Sequence, residues 1–337
     1  MNNLPLVSIC IPTYNAAEFL EPCLQSALAQ TYPNLEIMIS DDGSTDDTLN
    51  IIKKYQQQYS HIRVMQNESK GMVNNWNNCI IQARGEWVKF LFQDDILKPP
   101  CVKKMLETCL AHHVEIGFCS REFIIHDTVP KPVRNNFRYR MILPDRVFGN
   151  TSYISPQRLA NEVGTLMPDN VLGEPPCYFF HKKIFEHTAM FNPDYRHAVD
   201  LEFIIRLGLI KGLAFIFEPL VQFRVHGKSE SSANLNQEKE AGIKNIAAIA
   251  GDTMLLYHHF LRDPAFALIK AAMGEEMLQL HINYIYYSGC KHKGRSLFNK
   301  ALAPIREKYK ELGNMNYSFL KYVRYRKLFR QWEKENK

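Results

Sequence analysis

The chain has 337 residues, 46% of them hydrophobic and 23% charged, with a formal net charge of +6 at neutral pH. That length allows one large domain, or one domain with an appendage, and the composition excludes a disordered or fibrous chain. The modest positive balance suits anionic partners such as phosphates or a membrane surface, and does not by itself point to nucleic acid.

The first third alternates strand and helix. LVSICIP is a β-branched run closed by Pro12, and so predicts a buried strand. EFLEPCLQSALAQ follows with Phe19, Leu20, Cys23, Leu24 and Ala27 at helical spacing. NLEIMIS is a second strand that ends on Asp41 and Asp42, and GSTDDTLNIIKKYQQQY opens a helix with acids in its first turn. HIRVMQN, GMVNNWNNCIIQA and EWVKFLF predict strand, helix and strand. The last ends on Asp94 and Asp95, before PPCVKKMLETCLAHH, which opens with proline as helices permit, and the strand VEIGFCS.

Such alternation, with near-continuous apolar strands, predicts an α/β fold: a Rossmann-like, mostly parallel sheet with helices on both faces. Ligands of such sheets bind at the carboxyl ends of the strands. Thr13, Tyr14, Asn15, Asp41, Asp42, Asp94 and Asp95 all fall at such ends.

From Arg121 to Pro176 the chain is rich in proline and basic residues without a clear period, and reads as loops and short elements. HKKIFEHTAMF reads as a short helix. AVDLEFIIRLGLIK reads as an amphipathic helix with Leu201, Ile204, Ile205 and Gly208 on one face, and LAFIFEPLVQFRVHG as strand, turn, strand. Beyond Ser231 two long helical patterns follow, EKEAGIKNIAAIAGDTMLLYHHFL and FALIKAAMGEEMLQLHINYIYY. The expected organisation is therefore a domain over residues 1–230, with halves 1–120 and 121–230, and a helical region over 231–337.

The eight cysteines are scattered through apolar segments without a C-x-x-C pair, which suits a reducing compartment better than a disulfide framework. The N-terminal residues carry no signal-peptide pattern, and no apolar run approaches the ~20 residues of a membrane span, so a cytoplasmic protein is expected.

No G-x-G-x-x-G follows the first strand and no P-loop is present, which removes a nicotinamide fingerprint. Instead Tyr14 offers a flat face to a nucleobase, with acids nearby to accept from a base N–H or a ribose hydroxyl. Two adjacent carboxylates repel unless something positive sits beside them. Asp94 and Asp95 therefore either cap the next helix or hold a hard cation whose other ligands come from a diphosphate.

Together, the stretch from VSICIPTYN through SDDGSTDDT to GEWVKFLFQDDILKP resembles the N-terminal half of the family 2 glycosyltransferases of GT-A fold. The likeness covers residues 4–116 closely and continues loosely through DLEFIIRL to FRVHGKSESS. It implies an inverting transfer from a nucleotide-sugar, with UDP as the expected nucleotide and Mg²⁺ or Mn²⁺ as cofactor. Pro12 and Tyr14 match positions that line the nucleoside, with Thr13 and Asn15 beside them. Asp42 matches the acid that contacts the base, with Asp41 next to it. Asp94 and Asp95 match the motif that touches the ribose and holds the metal.

Asp200 matches the catalytic base, although it is also positioned to cap its helix, and Glu202 is the alternative base. His226 falls where some relatives keep a residue near the diphosphate or metal. Arg224 is open between a phosphate contact and an ordinary strand-end arginine. Two positions depart from the pattern. Phe92 and Gln93 stand where many relatives write Asp-x before the acidic pair, and Trp76 stands where many carry arginine, leaving Lys70 or another group to meet the phosphate.

The expected acceptor is a glycan or lipid-linked glycan of a bacterial envelope, with no nucleic-acid partner. The tail interleaves Lys321, Arg324, Arg326, Lys327 and Arg330 with Tyr322, Tyr325, Phe329 and Trp332. It offers either a peripheral contact at the inner face of the cell membrane or an aromatic face packed on the preceding helices. A nucleotidyltransferase of similar fold and a non-catalytic nucleotide-sugar-binding module are the rival functions.

Overall fold

The computed structural model describes residues 4–139, 143–166, 170–228, 239–293, 295–312 and 319–336. The opening β-branched run forms β1 (Val7–Thr13), buried along its whole length. β2 (Leu35–Asp41), β3 (Ile62–Gln66) and β4 (Trp87–Phe90) join it in the order β3-β2-β1-β4, all parallel. Three helices, α1 (Leu20–Leu28), α2 (Thr48–Gln58) and α3 (Met72–Gln82), carry the chain back between them. The register sets Thr13 opposite Asp41, so the polar ends of these strands share one sheet edge.

Beyond β4 the sheet becomes mixed. β5 (Ile96–Leu97), α4 (Cys101–Ala111), β6 (Ile116–Ile125), α5 (Lys131–Tyr139), α6 (Pro144–Phe148), β7 (Tyr153–Ile154), α7 (Pro156–Leu166), β8 (Tyr178–His181), α8 (Val199–Lys211) and β9 (Leu213–Val225) complete this part. The order continues from β4 through β8, β6 and β9 to β5, with β7 on β9. β8 runs antiparallel to both neighbours, while β6 and β9 are parallel.

Three local expectations change. Residues 213–225 form one strand rather than strand, turn, strand. The register slips between Cys119 and Arg121 on β6, opposite the Ile216–Val221 stretch that contains Pro219, so a bulge takes up the residue that cannot donate to the ladder. The unreadable middle contains α7, an eleven-residue helix. The helix expected from His181 shrinks to a 3-10 turn over Lys182–Glu186.

α8 is buried nearly all round, not on one face. Phe203 packs in a cluster with Phe180 and Phe191. Even the charges on this helix are internal: Arg206 Nε donates to Glu202 Oε1 at 2.6 Å, and its other nitrogens donate to Thr188 Oγ1, Ala189 O and Met190 O. A buried ion pair of this kind persists because every donor of the arginine fork is answered.

The C-terminal part comprises α9 (Lys239–Arg262), α10 (Ala267–Met273), α11 (Glu275–Lys293), α12 (Arg295–Lys308) and α13 (Phe319–Asn336). The pattern read as one helix from Phe266 breaks at Gly274, which takes φ +81° and closes α10 by donating to Lys270 O. The boundary expected near Ser231 lies outside the described residues. One contiguous apolar core runs from β1 to Met254, Phe260 and Tyr286 of these helices. All eight cysteines are buried and unbridged. Among the described residues no helix is long and apolar enough to cross a membrane.

Candidate active site

The ends of β1, β2 and β4 and the start of α3 enclose a cleft of about 660 Å³, within the range that holds small ligands. Pro12, Thr13, Tyr14, Asn15, Asp42, Asp94 and His226 line it, so seven of the expected residues meet in one place.

The loop after β1 is held by the loop after β2. Asn15 adopts φ +47°, a left-handed conformation that asparagine tolerates. Its amide N–H donates to Ser44 Oγ at 2.9 Å, and its Oδ1 accepts from Thr45 N at 2.8 Å. Across the cleft, Gln93 grips the Tyr14 backbone from both sides: Oε1 accepts from Tyr14 N at 2.8 Å and Nε2 donates to Tyr14 O at 3.3 Å. Tyr14 itself is left 55% exposed, with its ring available to a ligand.

Asp42 sits over the start of α3. Its carboxylate accepts from Asn67 Nδ2 at 2.7 Å and from Gly71 N at 2.9 Å. Lys70, the suggested phosphate ligand, spends its ammonium on Asp42 O at 3.0 Å and does not line the cleft.

Asp41 requires a correction. It is 2% exposed and turned away from the cleft, and its oxygens accept from Thr13 Oγ1, Ser44 Oγ, Gly43 N and Ser44 N. It ties two loops together and has no face toward a ligand.

The adjacent acids part company. Asp94 faces the cleft, where Oδ2 lies 3.0 Å from His226 Nε2. Asp95 is 1% exposed and turns under β9, accepting from Arg224 N at 2.8 Å, while its second oxygen has no hydrogen-bond partner. Burial, and then the Asp94 charge, push its carboxyl well above the ordinary range. The expectation of Asp95 as a metal ligand is therefore corrected: the turn that follows β4 sends the two side chains to opposite sides, and only Asp94 lines the cleft.

Arg224 braces this turn. Its Nε donates to Asp94 O at 2.8 Å and its guanidinium lies 5.3 Å from the centre of the Phe19 ring. That engagement makes it a support of the turn.

Asp94 and His226 offer one carboxylate oxygen and one imidazole nitrogen to a divalent cation. Among the described residues no group of three or more His, Cys, Asp or Glu could hold a metal. Two side-chain donors fit an ion that takes its other ligands from water and a diphosphate. Lys228 borders the same end of the cleft, its ammonium 2.8 Å from Glu18 Oε2.

Asp200 does not line this cleft. It lies in the first turn of α8, two residues after the N-cap Ala198, so it is not the cap. Its Oδ2 accepts from Asn170 Nδ2 at 3.0 Å and its Oδ1 from Leu201 N at 2.8 Å. A helix N-terminus by itself favours the ionised form of a carboxyl. Desolvation, and then the nearby Glu174 charge, instead push it up to about 7. Glu202, the alternative base, is consumed by Arg206.

Glu174 and Arg121 had not been singled out from sequence. Arg121 is buried with its Nε 2.8 Å from Glu174 Oε2, and Glu174 acts on both Asp95 and Asp200. Both residues sit in stretches with no periodic signal, Glu174 in a Gly-Glu-Pro-Pro turn.

Residues 8–187, more than half of the chain, match the family model described as Glycosyl transferase family 2. The chain belongs to glycosyl transferase family 2. An uncharacterized glycosyltransferase of Haemophilus influenzae is 27% identical over 72% of this chain and 73% of its own length. The chondroitin synthase of Pasteurella multocida is 28% identical over 71% of this chain, which spans only 23% of that longer protein.

Among solved structures, Staphylococcus aureus TarS 1–349 in complex with UDP-GlcNAc matches with a TM-score of 0.54 at 17% identity, covering 91% of this chain and 92% of that one. The mannosyltransferase PcManGT of Pyrobaculum calidifontis, in complex with GDP-Man and Mn²⁺, matches with a TM-score of 0.53 at 16% identity, over 92% and 83% of the two chains. The fold of this glycosyltransferase is GT-A.

Trp76 and Phe92, the positions read from sequence as departing from the expected pattern, touch each other. Trp76 stacks on Phe92 with ring centres 5.1 Å apart and 29° between planes, and meets Phe191 edge-on. Both Trp76 and Phe92 line the cleft.

Proposed function

We propose that this glycosyltransferase moves a sugar, with inversion, from a nucleotide-sugar, a UDP-sugar first among them, to a hydroxyl of a glycan or lipid-linked glycan in bacterial envelope synthesis. The observation that carries the reading is the Asp94–His226 pair at 3.0 Å, in the same cleft as Tyr14 and Asp42. A nucleoside bracketed by Pro12, Tyr14 and Asp42 directs its diphosphate toward Asp94, His226 and Lys228.

Asp94 and His226 would hold Mg²⁺ or Mn²⁺, which when bound supplies Lewis-acid stabilisation of the leaving diphosphate. Lys228 adds positive charge at the same end. Asp200 is the proposed base. It takes the acceptor hydroxyl proton as that oxygen bonds to the sugar carbon, while the bond to the β-phosphate oxygen breaks and its electron pair leaves with the nucleoside diphosphate. A carboxyl poised at about 7 suits this role, because proton acceptance is most effective when the pKa lies near the working pH. The relatives support the reading: TarS is in complex with UDP-GlcNAc, PcManGT with GDP-Man and Mn²⁺, and a chondroitin synthase is among the similar sequences.

The proposed organisation is a catalytic domain over 1–230 and a helical region over 231–337. The proposed location is cytoplasmic, with α13 touching the inner membrane face. The test is donor hydrolysis across UDP-, GDP- and dTDP-sugars with Mn²⁺. Wild type is expected to release one nucleoside diphosphate. Asp94→Ala, which removes a proposed metal ligand, and Asp200→Asn, which removes the proposed base, are each expected to lose at least about a hundredfold in rate. Metal-dependent binding of a donor without turnover by wild type, with or without added acceptors, would instead favour the non-catalytic module.

A further inference from the structure

A second cleft, of about 470 Å³, shares no lining residue with the first among the described residues. Its long wall is β6. Arg121, Phe123 and Ile125, alternate residues and so on one face of that strand, line it. Phe137 and Arg138 of α5 and Arg146 of α6 complete it. Such a volume holds a small ligand, or one part of a larger one.

The two ends of this wall lie beside the two places that a transfer must bring together. At one end Arg121 Nε is 2.8 Å from Glu174 Oε2. Glu174 follows Gly173, whose carbonyl accepts from Asn170 Nδ2, and the same amide donates to Asp200 Oδ2, at 3.0 Å in each case. At the other end Ile125 precedes His126. The His126 ring centre is 6.2 Å from that of His226 and 5.7 Å from that of Phe19, and both of these line the first cleft. Four strand steps, about 13 Å, separate the ends. An acceptor hydroxyl has to lie between the proposed base and the Asp94–His226 pair, and this wall spans that interval.

The charge of the second cleft is not balanced from within. Arg121 is answered by Glu174 and its side chain has no exposed surface, so its charge is already spent. Glu122, the one carboxylate on the lining, accepts from Gln222 Nε2 at 2.7 Å and lies 3.2 Å from Lys98 Nζ. Arg138 and Arg146 are exposed, and among the described residues neither meets a carboxylate. Residues 131–146 hold four arginines and a lysine against a single acid, Asp145, which does not line the cleft. A cleft that faces solvent with one sign of charge draws in ligands of the other. The planar fork of arginine fits the paired oxygens of a carboxylate or phosphate. Beside the arginines, half-buried Phe123 meets Phe137 edge-on with ring centres 5.3 Å apart, an apolar surface for the C–H face of a sugar.

We infer that this cleft is the acceptor subsite and that it selects an acidic glycan: Arg138 and Arg146 bind a carboxylate or phosphate group that the glycan carries, beside the Phe123–Phe137 wall. The inference rests on the nucleotide-sugar reading above and adds the chemical class of the acceptor.

The experiment is calorimetric titration of the full chain with tetragalacturonate and with its methyl ester, the neutral form of the same backbone. Glucose 6-phosphate against glucose tests phosphate as the source of the anion. In at least one arm the acid form is expected to bind at least about tenfold tighter than its neutral partner, as a hydrogen bond to a charged group brings. That preference is expected to shrink as salt is raised, and the arm that shows it identifies the anion. The double variant Arg138→Gln, Arg146→Gln is expected to lose the preference with an unchanged melting temperature, because both side chains are exposed. Asp94→Ala, in the other cleft, is expected to keep it. No preference in either arm overturns the inference. So does a preference that survives in the folded double variant, or one that disappears in folded Asp94→Ala. Parallel titration with UDP, GDP and dTDP in Mn²⁺ separates the two readings. Nucleotide binding without an acid preference overturns the inference alone. An acid preference without binding of any nucleotide overturns the nucleotide-sugar reading, and the acceptor role with it.

Discussion

Asp200 owes its proposed basicity to company that is remote in sequence. A carboxylate in the first turn of a helix is ordinarily stabilised by the helix dipole. Here desolvation and the Glu174 charge outweigh that, and the pKa rises to about 7. The sign follows directly. A base must be deprotonated to act, so turnover is expected to climb with pH through about 7 and level off above it. The same shift implies a stability contribution of opposite sense: the folded form holds a proton that the unfolded chain has released, so this group disfavours folding increasingly as pH rises from about 4 toward 7. Removing the Glu174 charge (Glu174→Gln) is expected to move the acidic limb of the kcat profile to lower pH, both because a like charge is gone and because Arg121 loses its partner and acts more strongly on Asp200. An unmoved limb would mean that another group sets it. The prediction is checked by kcat against pH for both forms.

At the scale of elements, α13 resolves a choice that periodicity left open. Tyr322 is 2% exposed, with the Lys291 ammonium 4.5 Å from its ring centre, and Tyr325 stacks on Tyr287. That aromatic stripe packs on α11; the side chains of Phe329 and Trp332 lie outside the description. The outward face carries Leu320, 81% exposed, and Val323, 48% exposed, among Arg324, Lys327 and Arg330. Exposed apolar residues ringed by positive charge suit an anionic lipid surface. The proposed membrane contact therefore belongs to Leu320 and Val323, not to the tyrosines. Full-length protein is expected to co-sediment with phosphatidylglycerol vesicles at low salt and less so with neutral ones. The double variant Leu320→Glu, Val323→Glu is expected to stay in solution with an unchanged melting temperature. Equal sedimentation of variant and wild type would remove α13 from the contact.

For the whole molecule, the helices after residue 238 do more than extend the chain. The loop leading into α8 is held from outside the sheet. Asp252 of α9 accepts from the backbone N–H groups of Arg196, His197 and Ala198 at 2.8, 2.5 and 3.0 Å. Tyr195 Oη meets His259 Nδ1 at 2.7 Å, and Asp194 takes Lys308 and the Tyr309 hydroxyl. The proposed base thus begins a helix whose approach is set by the C-terminal part. Asp252→Ala strands three donors, so a loss of about 1–3 kcal/mol is expected in denaturant unfolding. Turnover is expected to fall more than donor affinity, because none of Arg196, His197 and Ala198 lines the cleft. An equal loss of both would indicate general loosening.

Much of this protein is local in origin. β-branched runs, helical spacing and strand-end polar residues determined the alternation of β1 to β4 with α1 to α3, and with it the sheet edge where Tyr14, Asp42 and Asp94 meet. Those signals lie within a few residues of one another, so a linear reading carries them. Other outcomes depend on residues that only folding brings together. Asp41 and Asp95 are chemically equal to their neighbours Asp42 and Asp94. Which of each pair faces the cleft was decided by the loops and by β9 packed against them. The partnership of Trp76 with Phe92 and the service of Asp252 to residues 196–198 were also tertiary decisions. So was the rise in the Asp200 pKa, because desolvation and charge proximity are properties of three-dimensional surroundings and leave no periodic trace in the chain.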